Sequence, residues 1–140
     1  WHLLYGWKKL SLEMPLESGL IEKVGSGSTS IRKWYEKWQK SDSMRTSRSV
    51  FSAFCDSIMN QEDPYSGGAP QLVGIYRKGP ARTFGVIYKS ERFFYGEKIN
   101  EDDVENPNNV EWRNNLFERC DGKTTLLLEK AQRQPRPQNV

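Results

Sequence analysis

The densest concentration of reactive character in this sequence is cationic. Arg32, Lys33, Lys37, Arg45 and Arg48 fall in one stretch, and residues 32–48 carry six basic and two acidic side chains. Ammonium and guanidinium groups at that density suit phosphate contacts, because each neutralised phosphate releases counterions. Residues 77–98 have the same balance, so Arg and Lys of that segment extend the basic character. Residues 101–121 reverse it, with seven acidic and two basic residues. The net charge is +3, and Lys130, Arg133 and Arg136 account for all of it beyond Glu129. The rest of the chain is neutral overall but segregated, so its blocks can answer one another within the fold or across a subunit interface. That pattern excludes a uniformly basic DNA-binding face.

Other chemistry is thin. His2 is the single histidine, so a cysteine nucleophile lacks the base it usually needs. Cys55 and Cys120 each sit on the apolar stripe of an expected helix. Burial as small hydrophobes is the expectation for both, with a disulfide or a reactive thiol as the alternatives. No Cys/His set suits zinc, so no metal site and no cofactor is expected. Glu101, Asp102 and Asp103 could attract a hard cation but lack EF-hand spacing. The Gly- and Ser-rich segment 25–30 precedes a helix, yet no Lys follows Gly27 as a P-loop requires.

These residues need a scaffold, and the apolar spacing supplies one. Ile31, Trp34, Tyr35 and Trp38 mark one face of a helix, capped by Ser28 or Thr29. A second helix is expected from about Ser47 to Met59, with Val50, Phe51, Phe54 and Ile58 as its stripe. Residues 61–70 collect turn formers and read as a loop. Leu10, Leu12 and Met14 alternate with polar residues and suggest a short strand ending at Pro15.

Residues 71–99 hold three β-rich runs, over 72–76, 83–88 and 93–99. The breaks are a turn at Gly79-Pro80 and a four-residue loop at 89–92, which imply an antiparallel meander. Hairpins centred on Gly79-Pro80 and on Ser90-Glu91 set Gly74 opposite Gly85, and Gly85 opposite Gly96. A bare stripe of glycines, bordered by Tyr76 and Phe94, would then form a shallow ligand groove. The alternative is that a side chain of the domain itself, such as Trp34, Trp38 or Trp112, fills the stripe. Both sheet faces are apolar, so both must be covered.

Beyond the meander, Asn106-Pro107 opens an expected helix through Val110, Trp112, Leu116, Phe117 and Cys120, ended by Gly122. A further short helix is expected at 124–131. Residues 132–140 read as a disordered basic tail.

Gly74-Ile75-Tyr76 resembles the opening tripeptide of the GIY-YIG nucleases, which would imply Mg²⁺-dependent DNA cleavage. The resemblance covers three residues. Neither Gly85-Val86-Ile87-Tyr88 nor Phe94-Tyr95-Gly96 supplies the second tripeptide, and a third strand follows where that family has a helix.

The sequence therefore implies one α+β domain over 1–131, with a three-stranded or larger antiparallel meander packed against two to four helices. Residues 1–10 lack a signal-peptide pattern, because Gly6, Lys8 and Lys9 interrupt the apolar stretch. A cytoplasmic location and no membrane partner are expected. The functional expectation is a non-enzymatic binding module, self-associating through its sheet or helices as a homo-oligomer; whether it takes a small-molecule ligand is left open. The alternative is a nucleic-acid-binding protein or small nuclease.

Overall fold

Both expected helices form where the apolar spacing asks for them. In the computed structural model, which describes residues 2–5, 8–11, 16–75, 78–103 and 110–138, α1 spans Ser28–Trp38 and α2 spans Ser47–Met59. The α1 cap is Gly27, with no side-chain cap bond, rather than Ser28 or Thr29. A β-carbon on Gly27 would meet Ser66 Oγ at 2.8 Å, so this position is kept bare for the loop packed on it. Thr46 caps α2, its Oγ1 accepting from Ser49 N at 3.2 Å while Thr46 N donates to Ser49 Oγ at 3.4 Å. Trp34 and Trp38 bury against Ala53, joining the helices.

The first strands, β1 (His2–Tyr5) and β2 (Lys8–Ser11), pair antiparallel as a sheet of their own. Leu12, Met14 and Pro15 lie outside the described residues. The main sheet contains β3 (Leu72–Gly74), β4 (Arg82–Tyr88), β5 (Glu91–Phe94), β6 (Glu97–Ile99), β7 (Trp112–Asn114) and β8 (Arg119–Cys120). Its order is β6-β5-β4-β7-β8, with β3 also on β4. The architecture is α+β, and all pairings are antiparallel except β4 with β7.

The meander forms in a different register. Leu72 lies opposite Phe84, and Gly74 opposite Arg82, a shift of three residues from the expected pairing. An odd shift exchanges faces. Leu72 therefore joins the core on α2 with Phe51, Cys55, Ile58, Val86 and Tyr88, and Val73 turns outward. At the next hairpin Tyr88 pairs with Glu91 around a two-residue turn, Lys89-Ser90, with φ of 52° and 62°. Positive φ at both positions is the type I′ geometry that matches strand twist, so the expected four-residue loop shortens to two. The run 93–99 is two strands, because Tyr95-Gly96 forms a second such turn, with φ of 52° and 83°. Gly74, Gly85 and Gly96 consequently do not align.

The C-terminal third departs most from the helical expectation. Asn114 Oδ1 accepts from Leu116 N and Glu118 N, both at 2.9 Å. This side-chain turn competes with helix and reverses the chain between β7 and β8. Cys120 therefore lies on a strand, and Cys120 bridges to Leu127 where a further helix was expected. Gly122 does not end a helix; it leaves room for the Trp112 ring.

Residues 132–138 do not form a free tail. Ala131, Gln134 and Pro137 are buried while the residues between them are exposed, a period of three suited to an extended, polyproline-like strap. The strap lies along the small-residue face of α2. Gln134 Nε2 donates to Ser52 Oγ at 2.7 Å, Gln134 N to Glu118 Oε1 at 2.8 Å, and Arg136 Nη1 to Asp56 Oδ1 at 2.6 Å. Asp56 also accepts from Trp38 Nε1 at 2.8 Å. Specific polar pairing orders this segment without apolar residues of its own. Among the described residues no helix is long and apolar enough to cross a membrane.

Candidate functional site

The expected groove residues are dispersed. Gly85 lies under the Trp112 ring, and Gly96 packs on the Gln71 side chain. Gly74 faces Arg82 across β3 and β4. Phe94 stacks edge-on to Tyr95, with ring centroids 4.4 Å apart, at the margin of the Ile87–Trp112–Cys120 cluster. Tyr76 lies outside the described residues.

The basic residues are engaged locally. Lys33 pairs with Glu62 at 2.8 Å, and Arg45 with Glu17 at 3.7 Å. The Lys37 ammonium sits 3.9 Å from the Trp34 ring centroid. Arg48 Nη2 donates to the Gln132 carbonyl at 2.7 Å, securing the strap. Arg32 is exposed on α1. In the meander, Arg92 donates to the Gly122 carbonyl at 2.5 Å and Lys98 pairs with Glu91 at 2.5 Å.

A concavity lies elsewhere, between the end of α2, the loop 61–69 and the β4–β5 hairpin. It encloses about 660 Å³. Ile58, Ala69, Tyr88 and Phe93 provide its apolar walls; Gln61, Asp63, Ser66, Lys89 and Glu91 provide polar groups. The sequence elements that build it are simple. α2 delivers Ile58 at its last turn, and the type I′ turn places Lys89 beside Tyr88. Gly67-Gly68 forms the lip, where no atom lies within 4 Å of an added β-carbon.

The loop is held by its acids. Asp63 Oδ2 accepts from Ser26 Oγ at 2.6 Å and from Ser66 Oγ at 2.5 Å, and Oδ1 accepts from Tyr65 N at 3.3 Å. The Ser26 bond, then the Ser66 bond, hold its carboxyl below the usual range. Glu62 is held low mainly by its bond to Lys33. Both acids tie the loop to α1 and its entry segment.

Tyr88 is the decisive group. It is only 5% exposed, yet its hydroxyl has no hydrogen-bond partner among the described residues and is not a sealed orphan atom. Burial, with Cys55 nearby, holds the phenol above its ordinary value. A buried tyrosine ordinarily has its hydroxyl paired; here the residue lines the cleft. A second groove, of about 440 Å³, is lined mainly by apolar side chains, among them Leu20, Val24, Ile31, Val50, Phe54 and Leu72, with Glu22, Lys23 and Ser47 as its polar residues.

Both cysteines are free and buried. Burial pushes the Cys55 thiol strongly up, and carries Cys120 to about 11. The residues Glu101–Asp103 form a 3₁₀ turn, and no group of three metal-binding side chains occurs among the described residues. Comparison with protein-family models, with curated proteins and with solved structures finds no match to this chain.

Sequence reasoning did not find the cleft. Its loop was legible from Gly, Pro and Asp, and Tyr88 from its strand. Their meeting depends on a two-residue turn that Lys89-Ser90 does not announce by composition.

Proposed function

We propose that this domain is a non-enzymatic binding module whose ligand sits in the cleft between α2, the loop 61–69 and the β4–β5 hairpin. The carrying observation is Tyr88, a buried phenol with no hydrogen-bond partner among the described residues, on the wall of a cleft with apolar sides. A pre-formed concavity with a few convergent polar groups is the usual form of a small-molecule site, and its volume is in the usual range. The test is a fragment screen by amide chemical-shift mapping on the whole chain. Hits should perturb Ser66–Ala69 and Lys89 together. Hits scattered over other surfaces, with these amides silent, would overturn the reading.

Self-association is the second reading. It is favoured by Val73, Ile75 and Tyr95, exposed by 62%, 55% and 65% at the β3 side of the sheet. Strand β3 pairs only with β4 among the described strands, and an open edge beside apolar side chains suits an isologous contact with a second copy. Sedimentation showing a strict monomer at high concentration would overturn it. Nucleic-acid binding through Arg32, Lys33, Lys37, Arg45 and Arg48 has less support, because the partners of Lys33, Arg45 and Arg48 compete with phosphate.

A further inference from the structure

Both carboxylates of the cleft have protein partners. Glu91 is answered by Lys98 at 2.5 Å. Asp63 already accepts from two hydroxyls and one backbone N–H. Lys89, by contrast, has no carboxylate partner among the described residues, and its ammonium lies 5.4 Å from the Tyr88 ring centroid. Lys89 and Tyr88, one charged donor and one neutral, are therefore neighbours on the lining of the cleft. Ile58, Ala69 and Phe93 line the same space.

We infer that the cleft takes an organic acid: a carboxylate received by Lys89 and Tyr88, on an apolar body packed against Ile58, Ala69 and Phe93. The inference rests on the cleft being a binding site, and it names the ligand class. A carboxylate supplies an acceptor that neither donor has among the described residues, and charge-assisted bonds of this kind are the stronger ones. An amine would instead set a like charge beside the Lys89 ammonium, which disfavours it. The carboxylate can belong to a free small acid or to the C-terminus of a peptide, since both present the same group.

The experiment uses the whole chain and three matched probes: 3-phenylpropanoate, its primary amide and 3-phenylpropylamine. Amide shifts at Ser66–Ala69 and Lys89 are followed up to about 10 mM, which captures the weak end of small-ligand affinity. The acid should bind and should weaken with added salt. The neutral amide should bind about tenfold more weakly, the size expected for losing one charge-assisted bond. Lys89→Gln, on an exposed turn, should produce a similar loss for the acid, and Tyr88→Phe should weaken it while leaving the melting temperature close to that of the parent. A peptide ending in a free Phe carboxylate, compared with its amidated form, separates the two sources. If amide or amine binds as well as the acid, the ligand class is wrong and the cleft remains a site. If no probe shifts the cleft amides, both readings fail.

Discussion

The indole of Trp112 lies across Gly85 at a register position where β7 runs parallel to β4, and a single β-carbon on Gly85 would overlap the ring. Gly122 meets the same indole from the following loop. Two glycines thus frame one tryptophan, 3% exposed, on the sheet face opposite α2.

This arrangement makes Gly85 a core position. Gly85→Val should destabilise the fold by about 3 kcal/mol, at the upper end of overpacking costs. Urea denaturation should show a lower midpoint with an unchanged slope. A variant as stable as the parent would mean that the indole does not occupy this space.

Gln134 should anchor the strap. Gln134→Ala removes the bond to Ser52 and leaves buried groups unpaired, at a cost of about 1–3 kcal/mol. Limited trypsin digestion checks it locally: cleavage after Lys130 and Arg133 should be slow in the parent and faster in the variant. Equal rates would show the strap to be unanchored at this residue.

Both thiols should be silent towards a thiol reagent at pH 8 and titrate only on unfolding. Their acidity also sets an alkaline limit. Cys120 is raised in the fold from 9.0 to about 11. The folded chain then keeps a proton that the unfolded chain has lost, so stability falls as pH rises through that window. Cys55 acts in the same direction. Cys120→Ala should flatten the alkaline slope of the melting temperature; an unaltered slope would remove the thiol from the explanation.

Asp63 sets an acid-side dependence. Its carboxyl is held low in the fold by Ser26 and then Ser66, so its contribution is complete above the unfolded value and is lost as pH falls through the folded one. Ser26→Ala should lower the melting temperature near neutrality, and the gap from the parent should close in acid. A gap independent of pH would mean that the serine acts by packing alone.

The parts of the fold legible in the sequence were those with local causes. Trp34 and Trp38 on one face of α1, and Phe51, Phe54 and Ile58 on α2, follow from helical spacing. The β-rich runs follow from composition. Register did not, because a turn one residue longer or shorter changes every pair: Leu72 reached the α2 core only through an odd shift. The helix expected through Trp112 and Phe117 failed because Asn114 closes its own turn and Gly85 offers the indole a bare strand. The strap was illegible for a related reason. Gln134 and Arg136 look like tail composition, and their partners Ser52 and Asp56 lie more than seventy residues away along the chain. The cleft combines both difficulties, joining a legible loop to a turn whose length was not.

The same strap governs the order in which the molecule can be completed. Ser52 receives its Gln134 partner from 82 residues further along, and β4 accepts β7 only after β5 and β6 have been made. A chain emerging from a ribosome therefore presents the serine face of α2 to solvent through most of its synthesis. Local hairpins can close early, but the last polar contacts close from the far end, a topology of long-range contacts that slows folding. During that interval the polar character of the serines and Asp56, rather than a layer of hydrocarbon, keeps the waiting surface compatible with water.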